Sequence, residues 1–161
     1  MSGPNDGIMR LLQTARHAAM ATVNNDGSPH NTPFLFLHDE GFAKIFWSSH
    51  LESQHSQNIL RTGQIFVVVY DVLEKGGVYF RANNGRILED EELKLALDTH
   101  NAIRAQDNKR ALTASYYTGD APQKMWGADI SEIWINDVLR DDSGLVVKDF
   151  RQKVSPEDLI S

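Results

Sequence analysis

The chain contains no cysteine. Disulfide staples, thiolate metal sites and cysteine nucleophiles are therefore excluded. Proline is scarce, with five in 161 residues, and no apolar run approaches the roughly twenty residues a membrane-crossing helix needs. There is no G-x-S-x-G elbow, no P-loop and no G-x-G-x-x-G turn, so triad hydrolases, nucleoside triphosphatases and Rossmann dehydrogenases find no support. Basic residues are outnumbered, 16 to 22, and they are scattered. A net charge of −6 then argues against a nucleic-acid or anionic-membrane partner. The opening M-S-G-P-N-D-G-I-M-R has no apolar leader core, which makes the cytoplasm the expected location.

What is present is an ordinary globular composition, 41% hydrophobic and 24% charged, with mass enough for one domain over 1–161. Asp6 ahead of Ile8, Leu11, Leu12 and Ala15 reads as a capped amphipathic helix. H-A-A-M-A-T-V-N, the turn at Asn25 to Gly27, and S-P-H-N-T-P-F-L-F-L form a strong hairpin signal. The turn at Asp39 to Gly41 leads into F-A-K-I-F-W. Alternation there sets Phe42, Lys44 and Phe46 on one face, with Ala43, Ile45 and Trp47 on the other.

A helix from about Glu52 to Arg61 is expected to stop at Gly63. Q-I-F-V-V-V-Y-D predicts a strand buried on both faces, and Gly76-Gly77 opens V-Y-F-R-A-N-N-G-R-I-L. Asp90, Glu91 and Glu92 start a helix that turns Leu93, Ala96, Leu97 and Ile103 inward. Residues 105–127 read as helical pieces and loop. I-S-E-I-W-I-N-D-V-L-R, the turn at Asp141 to Gly144 and L-V-V-K-D-F form a last hairpin. The expected fold is α+β and mainly antiparallel β: a six- to seven-stranded split β-barrel with peripheral helices, closure being what removes exposed strand edges.

One stretch, F-W-S-S-H-L-E-S-Q-H-S-Q-N-I, crowds hydroxyls and imidazoles where a strand hands over to a helix. Ser49 and Glu52 have the S-x-x-E form of a capping box, which would commit Ser49 to the helix's own N–H groups. Alternatively the helix mouth, with Ser49, Ser53 and His55, grips an anion such as a phosphate. These residues alone leave both readings open. His50 and His55 would diverge on a helix and make a poor metal pair, so no metal site is expected. The acids at Asp39-Glu40, Glu89 to Glu92 and Asp141-Asp142 read as turn and helix-start residues.

Together, A-T-V-N-N-D-G-S-P-H-N-T-P-F, the Ser49–His55 stretch and Q-I-F-V-V-V-Y-D resemble the pyridoxamine 5'-phosphate oxidase-like family, the FMN-binding split barrels, over roughly residues 8 to 98. Ser49, Ser53, Asn58 and Val67 to Tyr70 carry the family's spacing. The resemblance implies a homodimer with FMN in a groove at the subunit interface, and an oxidoreductase whose flavin exchanges hydride with a small-molecule substrate. It also implies that Thr32, Pro33, Phe34 and Leu35 run along the flavin ring. Ser48 and Ser49 would lie near the phosphate and ribityl chain, and Ser53, Gln54 and His55 on the phosphate. Gly76 to Val78, with Trp126 or Trp134 contributed across the interface, would close the pocket.

The chain also departs from the family. The usual Arg-Lys pair is Gln54-His55, and cations of the second strand are replaced by Thr32 and Leu37. Lys44, Arg61, Arg81 and Arg86 are candidates to restore the charge. A protonated His55 is expected to supply part of it, so that FMN affinity falls as pH rises through roughly 6.5 to 8. The ending V-S-P-E-D-L-I-S lacks the arginine by which true pyridoxamine 5'-phosphate oxidases hold substrate phosphate, so vitamin B6 oxidation is not expected. No residue stands out as a general acid or base. The alternatives are a non-enzymatic holder of flavin, deazaflavin or haem, or a barrel dimer that has lost its cofactor.

Overall fold

Eight strands form one antiparallel sheet in the computed structural model, which describes residues 4–71 and 76–160. In chain order the elements are α1 (Pro4–Thr14), β1 (His17–Val23), β2 (Pro29–Leu35), β3 (Leu37–His38), β4 (Lys44–His50) and α2 (Gln54–Thr62). Then come β5 (Ile65–Asp71), β6 (Gly76–Ile87), α3 (Asp90–Gln106), a single 3-10 turn at Ala114–Tyr116, β7 (Gln123–Arg140), β8 (Val146–Val154) and α4 (Pro156–Ile160). Among the described residues no helix is long and apolar enough to cross a membrane.

The strand order β2-β1-β5-β6-β7-β4-β3 forces the sheet to curl. Its two end strands, β2 and β3, are separated in sequence by Phe36 alone. Flat, a sheet of seven strands would hold its ends about 29 Å apart at ~4.8 Å per strand. One residue spans only about 3.5 Å. The sheet therefore rolls into a barrel, and because β2 and β3 share no ladder the barrel is split along a seam. Side chains close that seam: Phe34 of β2 meets Trp47 of β4 edge-on with ring centroids 6.2 Å apart.

Inward-facing Met20, Phe34, Ile45, Trp47, Val67, Val69, Phe80 and Trp126 fill the barrel, while α1 and Leu159 of α4 pack against the same core. A second apolar cluster, Leu37, Phe46, Leu88, Leu93, Ala96, Tyr117 and Met125, lies beneath α3. Burial of such clusters is worth about 25 cal/mol per Å² of apolar surface and is the main force holding helix to barrel.

Most expected elements form, with instructive differences. Helix α1 begins at Pro4, so Asp6 stands inside its first turn rather than ahead of it. Phe42 adopts φ 51° and joins Ile45 and Trp47 in the barrel core, because the Asp39 carboxylate accepts from the Ala43 and Lys44 amides and delays β4 to Lys44. β5 is buried on one face only: Ile65, Val67 and Val69 face inward, Phe66 and Val68 are half-buried and Tyr70 is 59% exposed. β7 starts at Gln123, inside the stretch expected to be helix and loop, and pairs along all of β4.

Helix α2 ends as expected at Gly63, φ 66°, whose amide donates to the Ile59 carbonyl. There the helix docks on a bulge of β6 between Asn83 and Arg86. A Cβ on Gly85 would lie 2.6 Å from Ile59 Cγ2 and 3.2 Å from the Gly63 carbonyl oxygen. Gly85→Ala is accordingly expected to destabilise the fold by about 1–3 kcal/mol through overpacking. Equilibrium urea unfolding of the variant measures this directly.

Candidate functional site

Strand β4 and the first turn of α2 gather the hydroxyls. Alternation along β4 sends Trp47 and Ser49 to the barrel side, with Phe46 and Ser48 beneath α3. The chain then turns through Leu51 and Glu52 into Ser53, whose extended backbone (φ −64°, ψ 149°) makes it the N-cap residue. The capping-box expectation is thereby corrected. Ser49 is still in β4, opposite Lys124, and the helix begins a turn later than the S-x-x-E pattern implies. No side chain caps α2 at all, since the Ser53 hydroxyl donates to the His50 carbonyl at 2.9 Å.

Four side chains converge there. Ser49 Oγ lies 3.0 Å from Ser53 Oγ, 3.3 Å from Ser56 Oγ and 2.6 Å from His55 Nε2. Ser53 Oγ is 2.8 Å from Ser56 Oγ and 3.2 Å from His55 Nε2. Each hydroxyl is a rotatable donor with two acceptor lone pairs, so the cluster can turn its protons toward an incoming anion. The free first-turn amides and the positive end of the helix dipole act in the same direction.

Two tethers fix the cluster. Trp126 Nε1 donates to the Ser49 carbonyl at 3.2 Å. The buried Asn58 amide donates to Thr22 Oγ1 at 3.0 Å and Asn24 Oδ1 at 2.9 Å, and accepts from Gln54 Nε2 at 3.0 Å, which binds α2 to the first hairpin.

The other sequence-picked residues are distributed around this centre. On β2, Phe34 is buried against Trp47, Thr32 is half-buried on the same face, Pro33 is exposed on the opposite face and Leu35 packs against the second core. Ser48 lies on the opposite face of β4 from Ser49, where its hydroxyl accepts from Gln123 Nε2 at 2.9 Å. Gln54 is exposed. Trp126 is fully buried beside Trp47 and cannot reach across an interface, whereas Trp134 is half-buried on the outer sheet face beneath Arg81.

None of the four candidate cations joins the cluster. Lys44 and Arg86 are bound to Glu92 and Asp129 at the far end of β4, about 17 Å from Ser49 at ~3.3 Å per residue. Glu92 in turn is held down to a pKa of about 2 by hydrogen bonds from Arg86 and Lys44. Arg61 donates to the Val23 carbonyl and Arg81 pairs with Glu132.

His30, outside the residues picked from the sequence, stacks its ring on His55 with centroids 6.4 Å apart and planes 15° from parallel. Burial first, and then repulsion from His30, lowers the His55 pKa. Both causes work against the protonated His55 expected from the sequence. The pKa of His100, on the buried face of α3, is likewise lowered, by burial and then by Arg104 and Lys109. A histidine with depressed folded-state pKa contributes stability above its unfolded value that is lost as pH falls toward the folded one. The melting temperature is therefore expected to drop between about pH 7 and pH 5. A His55→Gln, His100→Gln double variant should flatten that slope in calorimetry.

Comparison with known proteins converges on the same strands. The family model for pyridoxamine 5'-phosphate oxidase matches residues 5–136. No curated protein matches the chain in sequence. A haem-binding protein from Mycobacterium smegmatis superposes with a TM-score of 0.66 at 13% identity, over 99% of this chain and 60% of that one, so the chain spans three fifths of that relative's length. A protein related to general stress protein 26 of B. subtilis, of the pyridoxinephosphate oxidase family and from Clostridium acetobutylicum, gives 0.59 at 14% identity, covering 93% of this chain and 94% of that one. An F420 reductase gives 0.56 at 14% identity, covering 77% and 93%. At such identities these likenesses establish the split-barrel fold.

Proposed function

The chain belongs to the pyridoxamine 5'-phosphate oxidase family, and from that premise we propose that it binds FMN by its phosphate at the mouth of α2. We further propose that it works as a homodimeric flavin-dependent oxidoreductase on a small molecule. The observation that carries the reading is the convergence of Ser49, Ser53, Ser56 and His55 on a first helical turn that no side chain caps. That donor set fits a phosphate held by hydroxyls, backbone amides and helix dipole rather than by guanidinium.

A second feature agrees with it. Among the described residues the Trp47 indole N–H is the one buried side-chain polar atom without a partner, and Trp47 shares the Ser49 face of β4. The outer edge of β2 adds backbone groups that pair with no other strand among the described residues, Pro33 removing one donor from the row. A bound flavin would supply hydride transfer through its ring. The chain's part is to anchor the phosphate and lay the ring along the open edge of β2.

A second reading rests on the His30–His55 pair. Two near-parallel imidazoles at the seam, one of them with its pKa lowered by burial, are the kind of ligands haem iron accepts.

The two readings separate by experiment. Purified protein loaded with FMN is mixed anaerobically with reduced nicotinamide nucleotides. Bleaching of the flavin absorbance supports the oxidoreductase. Firmly bound flavin that no donor reduces favours a holder of the cofactor. Tight haem binding that His30→Ala abolishes, without measurable FMN binding, replaces the first reading with the second.

A further inference from the structure

Helix α3 ends in a loop that folds back on it. The Asn101 side chain accepts from the Leu112 amide and donates to the Leu112 carbonyl, both at 2.9 Å. The Lys109 amide donates to the Arg104 carbonyl at 2.8 Å, and Arg104 Nε donates to the Arg110 carbonyl at 2.7 Å. Asn108 takes the left-handed conformation, φ 54°, within this return. Leu112 packs on the apolar cluster beneath α3. None of these contacts uses the Arg110 side chain, which is exposed and has no partner among the described residues.

A groove of about 450 Å³ opens over the loop, and among the described residues no carboxylate lines it. Arg104, Arg110, Thr113, Ser115 and Tyr116 do. The Thr113 and Ser115 hydroxyls lie 2.8 Å apart. Tyr116 meets Tyr117 edge-on at 5.0 Å and is 51% exposed, so much of its ring is uncovered. Lys109 is met by Asp107 at 3.6 Å, whereas the charge of Arg110 is met by nothing. In a chain of net charge −6 this is a local excess of positive charge on a preformed loop.

We propose that the groove binds NADPH by its 2'-phosphate, with the phosphate on Arg104, Arg110 and the two hydroxyls and the adenine on Tyr116. A phosphomonoester carries close to two negative charges near neutral pH, and guanidinium forks match its oxygens. A nucleotide base stacks on an exposed tyrosine ring. The choice of this nucleotide rests on the flavin reading; the chemistry of the groove does not. Six residues on from Tyr116, the Pro122 carbonyl accepts from the Leu51 amide in the turn before α2. Six residues span at most about 21 Å. The groove therefore lies beside the flavin site rather than across the barrel from it.

Calorimetric titration of the cofactor-free chain with adenosine 2',5'-bisphosphate reads the groove without any flavin. The bisphosphate should bind, and adenosine at least about tenfold more weakly. Arg110→Ala should weaken the bisphosphate about ten- to a hundredfold at an unchanged melting temperature. Tyr116→Ala should weaken it about five- to a hundredfold, as for a lost stacking partner. Lys148→Ala, which removes an exposed cation on β8, should change nothing.

Between the two dinucleotides, the parent should prefer NADPH over NADH by at least about tenfold, and Arg110→Ala should bind them alike. Absent bisphosphate binding, equal affinity for NADPH and NADH, or an Arg110→Ala effect no larger than that of Lys148→Ala overturns the proposal. A chain that shows this Arg110-dependent preference yet takes up no FMN supports the groove and refutes the flavin reading alone.

Discussion

Ser53→Ala is expected to weaken FMN binding about ten- to a hundredfold while leaving riboflavin binding as it was. A hydrogen bond to a charged partner contributes about 1.5–3 kcal/mol, and ~1.4 kcal/mol is tenfold in affinity. Ser53 is the hub of the cluster, within 3.2 Å of Ser49, Ser56 and His55 side chains. Its removal should cost the fold little, because its hydroxyl caps no helix amide and serves only the His50 carbonyl and this network. Adding Ser49→Ala should cost less than a second full step, since the two hydroxyls share partners and such neighbours do not act additively. Flavin fluorescence titration of Ser53→Ala, Ser49→Ala and the double variant, with melting curves as a fold control, reads both effects.

Trp126→Ala should be the most damaging change to stability, about 3–5 kcal/mol, as for other large buried aromatics cut to alanine. A domain with a total stability of roughly 5–15 kcal/mol then stands close to unfolding at ambient temperature. The ring is fully buried and lies parallel to Trp47 with centroids 6.4 Å apart. Trp126→Phe keeps most of that bulk but leaves the Ser49 carbonyl without its indole donor. That costs about 1–3 kcal/mol and should also loosen the residue that orients the hydroxyl cluster. Denaturant unfolding of both variants separates packing from the hydrogen bond. FMN titration of the folded Phe variant shows whether the tether matters to the site.

How far the sequence was legible follows the range of the interactions. The Asp-Gly hairpin, the Gly63 stop and the acidic start of α3 are set by neighbours a few residues apart, and each formed where the pattern placed it. The first half of β7 was not legible. Met125, Trp126, Gly127 and Ala128 are all buried, the barrel core covering one face and the cluster beneath α3 the other, so the alternation that marks a strand is missing. Gly127 even excludes a side chain, since a Cβ there would lie 2.7 Å from Leu88.

Around the mouth of α2, Ser49, Ser53 and His55 lie within hydrogen-bond distance of one another. The local S-x-x-E pattern misled because it carries no information on how far β4 extends. His30 was findable in principle: alternation along β2 puts it on the face of Thr32 and Phe34. The fate of the cations was not, because Lys44, Arg86, Glu92 and Asp129 meet only through the fold. Their mutual engagement is why the site must be read as a neutral one.

The most direct test of that neutral site is a titration of cofactor-free protein with FMN and with riboflavin, followed by quenching of flavin fluorescence. The hydroxyl cluster predicts FMN tighter by at least about tenfold, the contribution of a single charge-assisted hydrogen bond. Equal affinity for the two flavins would contradict phosphate recognition at the mouth of α2.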